Sequence, residues 1–142
     1  MFFVLIRIGN KPLKQDDDMS KRVLIVDDSL YMRTMINSAL TSAGYEVVGQ
    51  AANGEAAIDL AMDLVPDLIT LDNILPDMIG TDILRVLKQD ENLPSKVIMI
   101  SAVGQDSVIQ EGLSLGAAAY VVKPFTTESL LEVINEQMAK ED

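Results

Sequence analysis

The chain has 142 residues, 49% of them apolar, and a formal net charge of −11, which suffices for one well-buried core but is short for two domains. That charge excludes nucleic acid and anionic membrane surfaces as main partners, because both are held by clustered Lys and Arg. The chain has no cysteine and no histidine, which removes disulfides, thiolate and imidazole metal sites, Ser-His-Asp and Cys-His catalysis and any phosphohistidine on this chain. Carboxylate, hydroxyl and lysine chemistry is left, and the lack of cysteine fits a cytoplasmic setting.

Residues 1–18 read unlike the rest. Met1 to Ile8 is apolar except for Arg7, and a polar stretch follows that ends in Asp16, Asp17 and Asp18. The apolar piece is too short to span a membrane and has none of the parts of a signal peptide, so no membrane insertion is expected. We read residues 1–18 as a disordered extension or a start upstream of the true one at Met19, and residues 19–142 as the domain.

From Met19 onward, strands alternate with amphipathic helices. Arg22 to Val26 is a near-continuous apolar run, the pattern of a strand covered on both faces, and it ends at Asp27-Asp28. Ser29 is the expected N-cap of a first helix that buries Met32, Met35, Ile36, Ala39, Leu40 and Ala43 and closes at Gly44. Tyr45 to Gly49 follows as a second strand and Gly54 to Leu64 as a second helix, with Ala57, Ile58, Ala61 and Met62 inward. After Pro66 the third strand, Asp67 to Leu71, runs straight into Asp72, and Pro76 keeps the following loop from turning helical at once.

Thr81 is the expected cap of a third helix reaching about Gln89, with Ile83, Leu84 and Leu87 as its core face. The fourth strand, Lys96 to Ile100, ends at Ser101, and the fourth helix, Asp106 to Leu115, carries Gly112 inside it. An interior glycine costs about 1 kcal/mol relative to alanine, so this helix reads as a weak one. The fifth strand, Ala118 to Val122, ends at Lys123-Pro124, and Thr126 or Thr127 starts a fifth helix on Leu130, Val133, Ile134 and Met138.

Strands followed each time by a helix specify a doubly wound α/β fold, a parallel sheet with helices on both faces. Right-handed crossovers leave few topologies, and the five-stranded order 2-1-3-4-5 puts the switch point between the first and third strands. Asp27, Asp28, Asp72, Ser101 and Lys123 all end strands, so they converge on one rim although they are scattered along the chain. Carboxylates held that close repel unless a cation joins them. Magnesium, with its preference for carboxylate, carbonyl and water oxygens, suits Asp28, Asp72 and a backbone carbonyl of the loop, with Asp27 acting through water. Lys123 adds a positive charge and Ser101 a hydroxyl, a setting for an anion beside the metal. A carboxylate there can itself accept a phosphoryl group as an acyl phosphate, with Asp72 the nucleophile.

Val23-Leu24-Ile25-Val26-Asp27-Asp28-Ser29, Leu71-Asp72-Asn73-Ile74-Leu75-Pro76, Ser101-Ala102 and Tyr120-Val121-Val122-Lys123-Pro124-Phe125 resemble the motifs of response-regulator receiver domains, particularly stand-alone ones of the chemotaxis kind. The resemblance covers about Lys21 to Met138 and implies a flavodoxin-like (βα)5 three-layer sandwich. It implies Asp72 as phosphoacceptor, Asp27 and Asp28 as the acidic pair for Mg2+ or Mn2+, and the Ile74 backbone carbonyl as a further ligand. By the same resemblance Ser101 is the switch hydroxyl, Tyr120 the switch aromatic and Lys123 the phosphoryl-contacting lysine, with a cis Lys123-Pro124 bond. The implied partners are a histidine kinase, as phosphodonor in trans, and a protein target docking on the face of the fourth helix, fifth strand and fifth helix. Since the chain stops soon after Met138, a DNA-binding domain is not expected, and output is expected by docking.

Two departures stand out. Ile79-Gly80 replaces the family's frequent Asp-Gly, and Ile74, two residues past the acceptor, is apolar where relatives are often polar. Val103, two past Ser101, is apolar as well. These two side chains are expected to exclude or misorient the hydrolytic water and so lengthen the life of the phosphorylated form. A haloacid-dehalogenase-type phosphatase would need a second aspartate where Ile74 stands. A flavodoxin-like cofactor binder would need a phosphate loop where Asp27-Asp28 stands. The closer rival is a pseudo-receiver that binds partners without phosphorylation, although none of the residues whose loss marks that class is missing.

Overall fold

The computed structural model describes residues 20–140. Residues 1–18, read above as an extension, lie outside them. Among the described residues five strands and five helices alternate: β1 (Arg22–Val26), α1 (Leu30–Ser42), β2 (Glu46–Ala51), α2 (Gly54–Leu64), β3 (Leu68–Leu71), α3 (Gly80–Lys88), β4 (Lys96–Ser101), α4 (Asp106–Ser114), β5 (Ala119–Val122) and α5 (Thr127–Ala139). The strands form one sheet in the order β2-β1-β3-β4-β5, with every pairing parallel. No helix among the described residues is long and apolar enough to cross a membrane.

The apolar runs make strands because alternate side chains serve opposite faces. Leu24 and Val26 join Ile69, Leu71, Val97 and Met99 in a core with Ala57, Ala61, Ile83, Leu84 and Leu87 of α2 and α3. Val23 and Ile25 join Leu68, Ile98 and Ile100 in a second core with Ile36, Leu40, Leu130 and Ile134 of α1 and α5. Burying a Leu or Ile side chain is worth about 1.5–3 kcal/mol relative to leaving it exposed. Two such cores clamp the sheet, and the charged groups collect at its ends.

Ser29 caps α1, its side chain accepting from the Met32 N–H, and Thr126 rather than Thr127 caps α5. Three expectations need correction. Thr81 is not a cap: the cap position is Ile79, two residues earlier, so that α3 starts at Gly80; Thr81 is buried, and its N–H donates to the side-chain oxygen of Asn73 at 3.3 Å. Met62 and Ala43 are exposed, because each lies past the apolar stripe of its helix. Strand β2 runs on to Ala51, the β1 pairing slipping by one residue between Val23 and Leu24.

Gly112 has a packing role as well. It is the buried residue of α4, and a Cβ there would lie 3.0 Å from Met99 Sδ and 3.5 Å from the Tyr120 ring. The glycine lets α4 approach β4 and β5 closely.

Candidate functional site

The site is built where β1 and β3 run side by side. The Asp27 N–H donates to Ala51 O at 3.0 Å and the Asp72 N–H to Val26 O at 3.0 Å, so parallel pairing carries both aspartates one residue past their strands, to the same rim. Asp27 and Asp72 are buried and Asp28 is exposed. Oxygens of the three carboxylates all lie within 4.8 Å of one another.

Lys123 arrives from β5. Its N–H donates to Ser101 O at 2.9 Å, and the Lys123-Pro124 bond is cis, as the resemblance implied. The ammonium lies 2.8 Å from Asp27 Oδ2 and 3.3 Å from Asp72 Oδ2, donating to both. The other Asp27 oxygen accepts from the Ser29 N–H at 2.9 Å, and the other Asp72 oxygen from the Ile74 N–H at a long 3.4 Å. The Arg33 guanidinium donates to the Asp27 carbonyl at 2.8 Å and to Gln50 Oε1 at 3.2 Å, holding the end of β1 from the α1 side.

Burial pushes the Asp72 carboxyl above the ordinary carboxylate range; Lys123 pulls it back, Asp27 adds to the rise, and the Ile74 N–H opposes it. Burial alone would lower the Lys123 ammonium, but its bond to Asp27 and the charges of Asp72 and Asp27 outweigh this and raise it. The lysine therefore stays charged, and one ammonium is shared between two buried carboxylates. A hard divalent cation fits what remains, since three carboxylates converge, one of them open to water, and each offers an oxygen. Asp27, Asp28 and Asp72 would hold it.

Ser101 is fully buried at the end of β4 and its Oγ accepts from the Val103 N–H at 3.2 Å. Tyr120 is half-buried against the core, and its hydroxyl donates to Val103 O at 2.7 Å. The Val103 backbone thus joins the hydroxyl of one expected switch residue to the ring of the other. Ile74 is 57% exposed and Val103 partly buried.

Several residues went unread in the sequence. Asn73 is buried and closes the loop after Asp72, its carbonyl accepting from Gly80 N at 2.6 Å while its side chain takes the Thr81 N–H. Asp77 accepts from Gly54 N at 2.7 Å and Glu55 N at 3.0 Å. The Asn53-Gly54 pair signals a turn and helix start, but nothing local ties it to Asp77.

Comparison with known proteins agrees with this geometry. The family model described as the response regulator receiver domain matches residues 23–135. The chemotaxis protein CheY of Thermotoga maritima is 42% identical over 119 residues, covering 83% of this chain and 98% of that protein. CheY of Bacillus subtilis is 40% identical over 120 residues, covering 84% and 99%. Among solved structures, a chain of the CheX-CheY-BeF3-Mg2+ complex from Borrelia burgdorferi superposes with a TM-score of 0.82 at 32% identity, covering 88% of this chain and 94% of that one.

Proposed function

Because the chain belongs to the response regulator receiver family, we propose that it is a single-domain response regulator that takes a phosphoryl group onto Asp72 from a histidine kinase. The observation that carries this reading is the shared ammonium: Lys123 contacts both Asp27 and Asp72, so a cation is already in place beside the acceptor oxygen. An Asp72 carboxylate oxygen attacks phosphorus, the bond from phosphorus to the donor imidazole nitrogen breaks, and that nitrogen keeps the electron pair. Asp72 ends as an acyl phosphate. Lys123 offsets the negative charge on the phosphoryl oxygens during transfer. Bound Mg2+ would supply further charge neutralisation from Asp27, Asp28 and Asp72, with the Ile74 backbone carbonyl as the expected additional ligand.

The buried Ser101 hydroxyl then donates its proton to an anionic acceptor, and turning toward that acceptor draws its Oγ away from the Val103 N–H from which it now accepts. Tyr120 bonds the carbonyl of the same residue, so a change at Ser101 reaches the ring through the backbone of the single residue Val103. The packed Tyr120 belongs to the population that phosphorylation enriches, and the α4-β5-α5 face is the surface whose affinity for a protein target changes with it. A chemotaxis or motility target and a cytoplasmic setting are the specific assignments we make within this reading, by likeness to the CheY proteins. Incubation with a small phosphodonor and Mg2+ tests the chemistry. A modification abolished by Asp72→Ala supports it, and no modification supports a pseudo-receiver.

A further inference from the structure

The loop after Asp72 carries the carbonyl that the proposed cation takes from Ile74, and a loop carbonyl is a useful ligand only if the loop is held. Most of its ties are internal or lead to α3. Asn73 bonds Gly80 and Thr81, Ile74 and Ile79 form an isolated antiparallel bridge, the Leu75 N–H donates to Met78 O at 3.2 Å, and Leu75 is buried. These fix the loop's own shape and its exit into α3. Leu75 also seats the loop in the core shared with Ala57 and Ala61 of α2, but none of these is a hydrogen bond from the loop to α2.

Asp77 supplies a tie across to a different element. Its two carboxylate oxygens take separate backbone N–H groups of the first turn of α2, those of Gly54 and Glu55, while the Asn53 side chain takes the Ala56 N–H at 2.8 Å. Between them the two side chains satisfy three donors that a helix start leaves without partners. The two backbone bonds hold the Asp77 carboxyl below the usual carboxylate range, as a carboxylate engaged in its ionised form should be. On the same contact Gly54 leaves room for the loop, since a Cβ there would fall 2.6 Å from Met78 Sδ and 2.9 Å from Met78 Cβ. A bidentate clasp and a missing side chain thus let the loop press onto α2.

Resting on the phosphoacceptor reading above, we propose that Asp77 is a positioning residue for the divalent cation: it clamps the loop onto α2 and so sets the Ile74 carbonyl relative to Asp72. Asp77 touches neither the cation nor the phosphoryl group. Its loss leaves the three carboxylates in place and weakens the cation by loosening one ligand. Partners one step removed from a metal commonly govern its affinity by about 10-fold or more.

The test is Mg2+ binding to the full chain by titration calorimetry, for wild type, Asp77→Ala, Asp77→Glu and Gly54→Ala, with urea unfolding measured without metal. Asp77→Ala is expected to raise the Mg2+ dissociation constant about 10-fold, with partial rescue in Asp77→Glu. Gly54→Ala, which alters no charge, is expected to raise it too by pushing Met78 and the loop away. Removing any carboxylate also weakens the general field on a cation, but that effect fades in 1 M salt, where the screening length is about 3 Å; the positioning effect persists. An affinity unchanged in Asp77→Ala, whatever its stability, overturns the proposal. So does an effect that vanishes in 1 M salt with none in Gly54→Ala. A wild-type chain that binds no Mg2+ overturns the receiver reading itself, a separate result from an Asp77 variant that matches a binding wild type.

Discussion

Gly80 passes so close to Asp72 that a Cβ on Gly80 would stand 2.5 Å from the Asp72 carbonyl oxygen and 2.7 Å from the Asn73 Cα. The atoms in the way are backbone and cannot rotate aside. The Gly80 N–H meanwhile donates to Asn73 O at 2.6 Å, so the start of α3 is sewn against the acceptor residue. Gly80→Ala is expected to cost about 1–3 kcal/mol, read as a lower urea midpoint at unchanged slope, and to slow modification of Asp72. An alanine variant with wild-type stability would show that the loop yields.

Burial raises the Asp72 carboxyl, and the sign of its effect on stability follows. An unfolded aspartate ionises near 3.9. Above that pH the unfolded chain loses its proton first, so the native state binds more protons and stability falls as pH rises toward the native value. At neutral pH the whole cost of holding Asp72 ionised is present. Asp72→Asn cannot ionise, so it should be more stable than wild type at pH 7, with the difference shrinking as pH is brought below about 4. Urea unfolding at the two pH values checks this, and a variant less stable than wild type at pH 7 contradicts it.

Gly112 is expected to resist the usual improvement. In an exposed helix interior, alanine in place of glycine gains about 1 kcal/mol. In α4 the new methyl group would crowd Met99 Sδ at 3.0 Å and come into van der Waals contact with the Tyr120 ring at 3.5 and 3.7 Å. Gly112→Ala should therefore leave unfolding stability at or below that of wild type and shift the ring resonances of Tyr120. A full gain with an unmoved ring would mean that α4 has slack.

Ile74 bears on the lifetime of the modified state. Its side chain is 57% exposed and sits two residues past Asp72, with partly buried Val103 two past Ser101. Neither side chain can hold a water by a hydrogen bond, so the phosphorylated form is expected to decay slowly and Ile74→Asn to speed the decay. Rapid decay in wild type that Ile74→Asn leaves unchanged would remove these residues from the account.

Much of this was legible because it depends on the chain's own periodicity. The apolar run from Val23 to Val26 and its counterpart in β3 announce buried parallel strands, and once their order is set, Asp27, Asp28, Asp72, Ser101 and Lys123 must share a rim. What escaped depends on close approach between segments far apart in sequence. Thr81 looks like a helix cap on residue type alone, but the cap position is taken by Ile79 and the loop's Asn73 reaches back to the Thr81 N–H. Asp77 reads as one more acidic loop residue, and only the fold brings it to Gly54 and Glu55. Gly112 looks like a flaw in a helix until the Tyr120 ring is found against it.

The function proposed for this chain stands on Asp72 accepting a phosphoryl group. Intact mass spectrometry of the full chain, after incubation with Mg2+ and a small-molecule phosphodonor, tests it most directly. Wild type is expected to gain one phosphoryl group, dependent on Mg2+ and absent from Asp72→Ala. No adduct on the wild type, or the same adduct on both proteins, would contradict it.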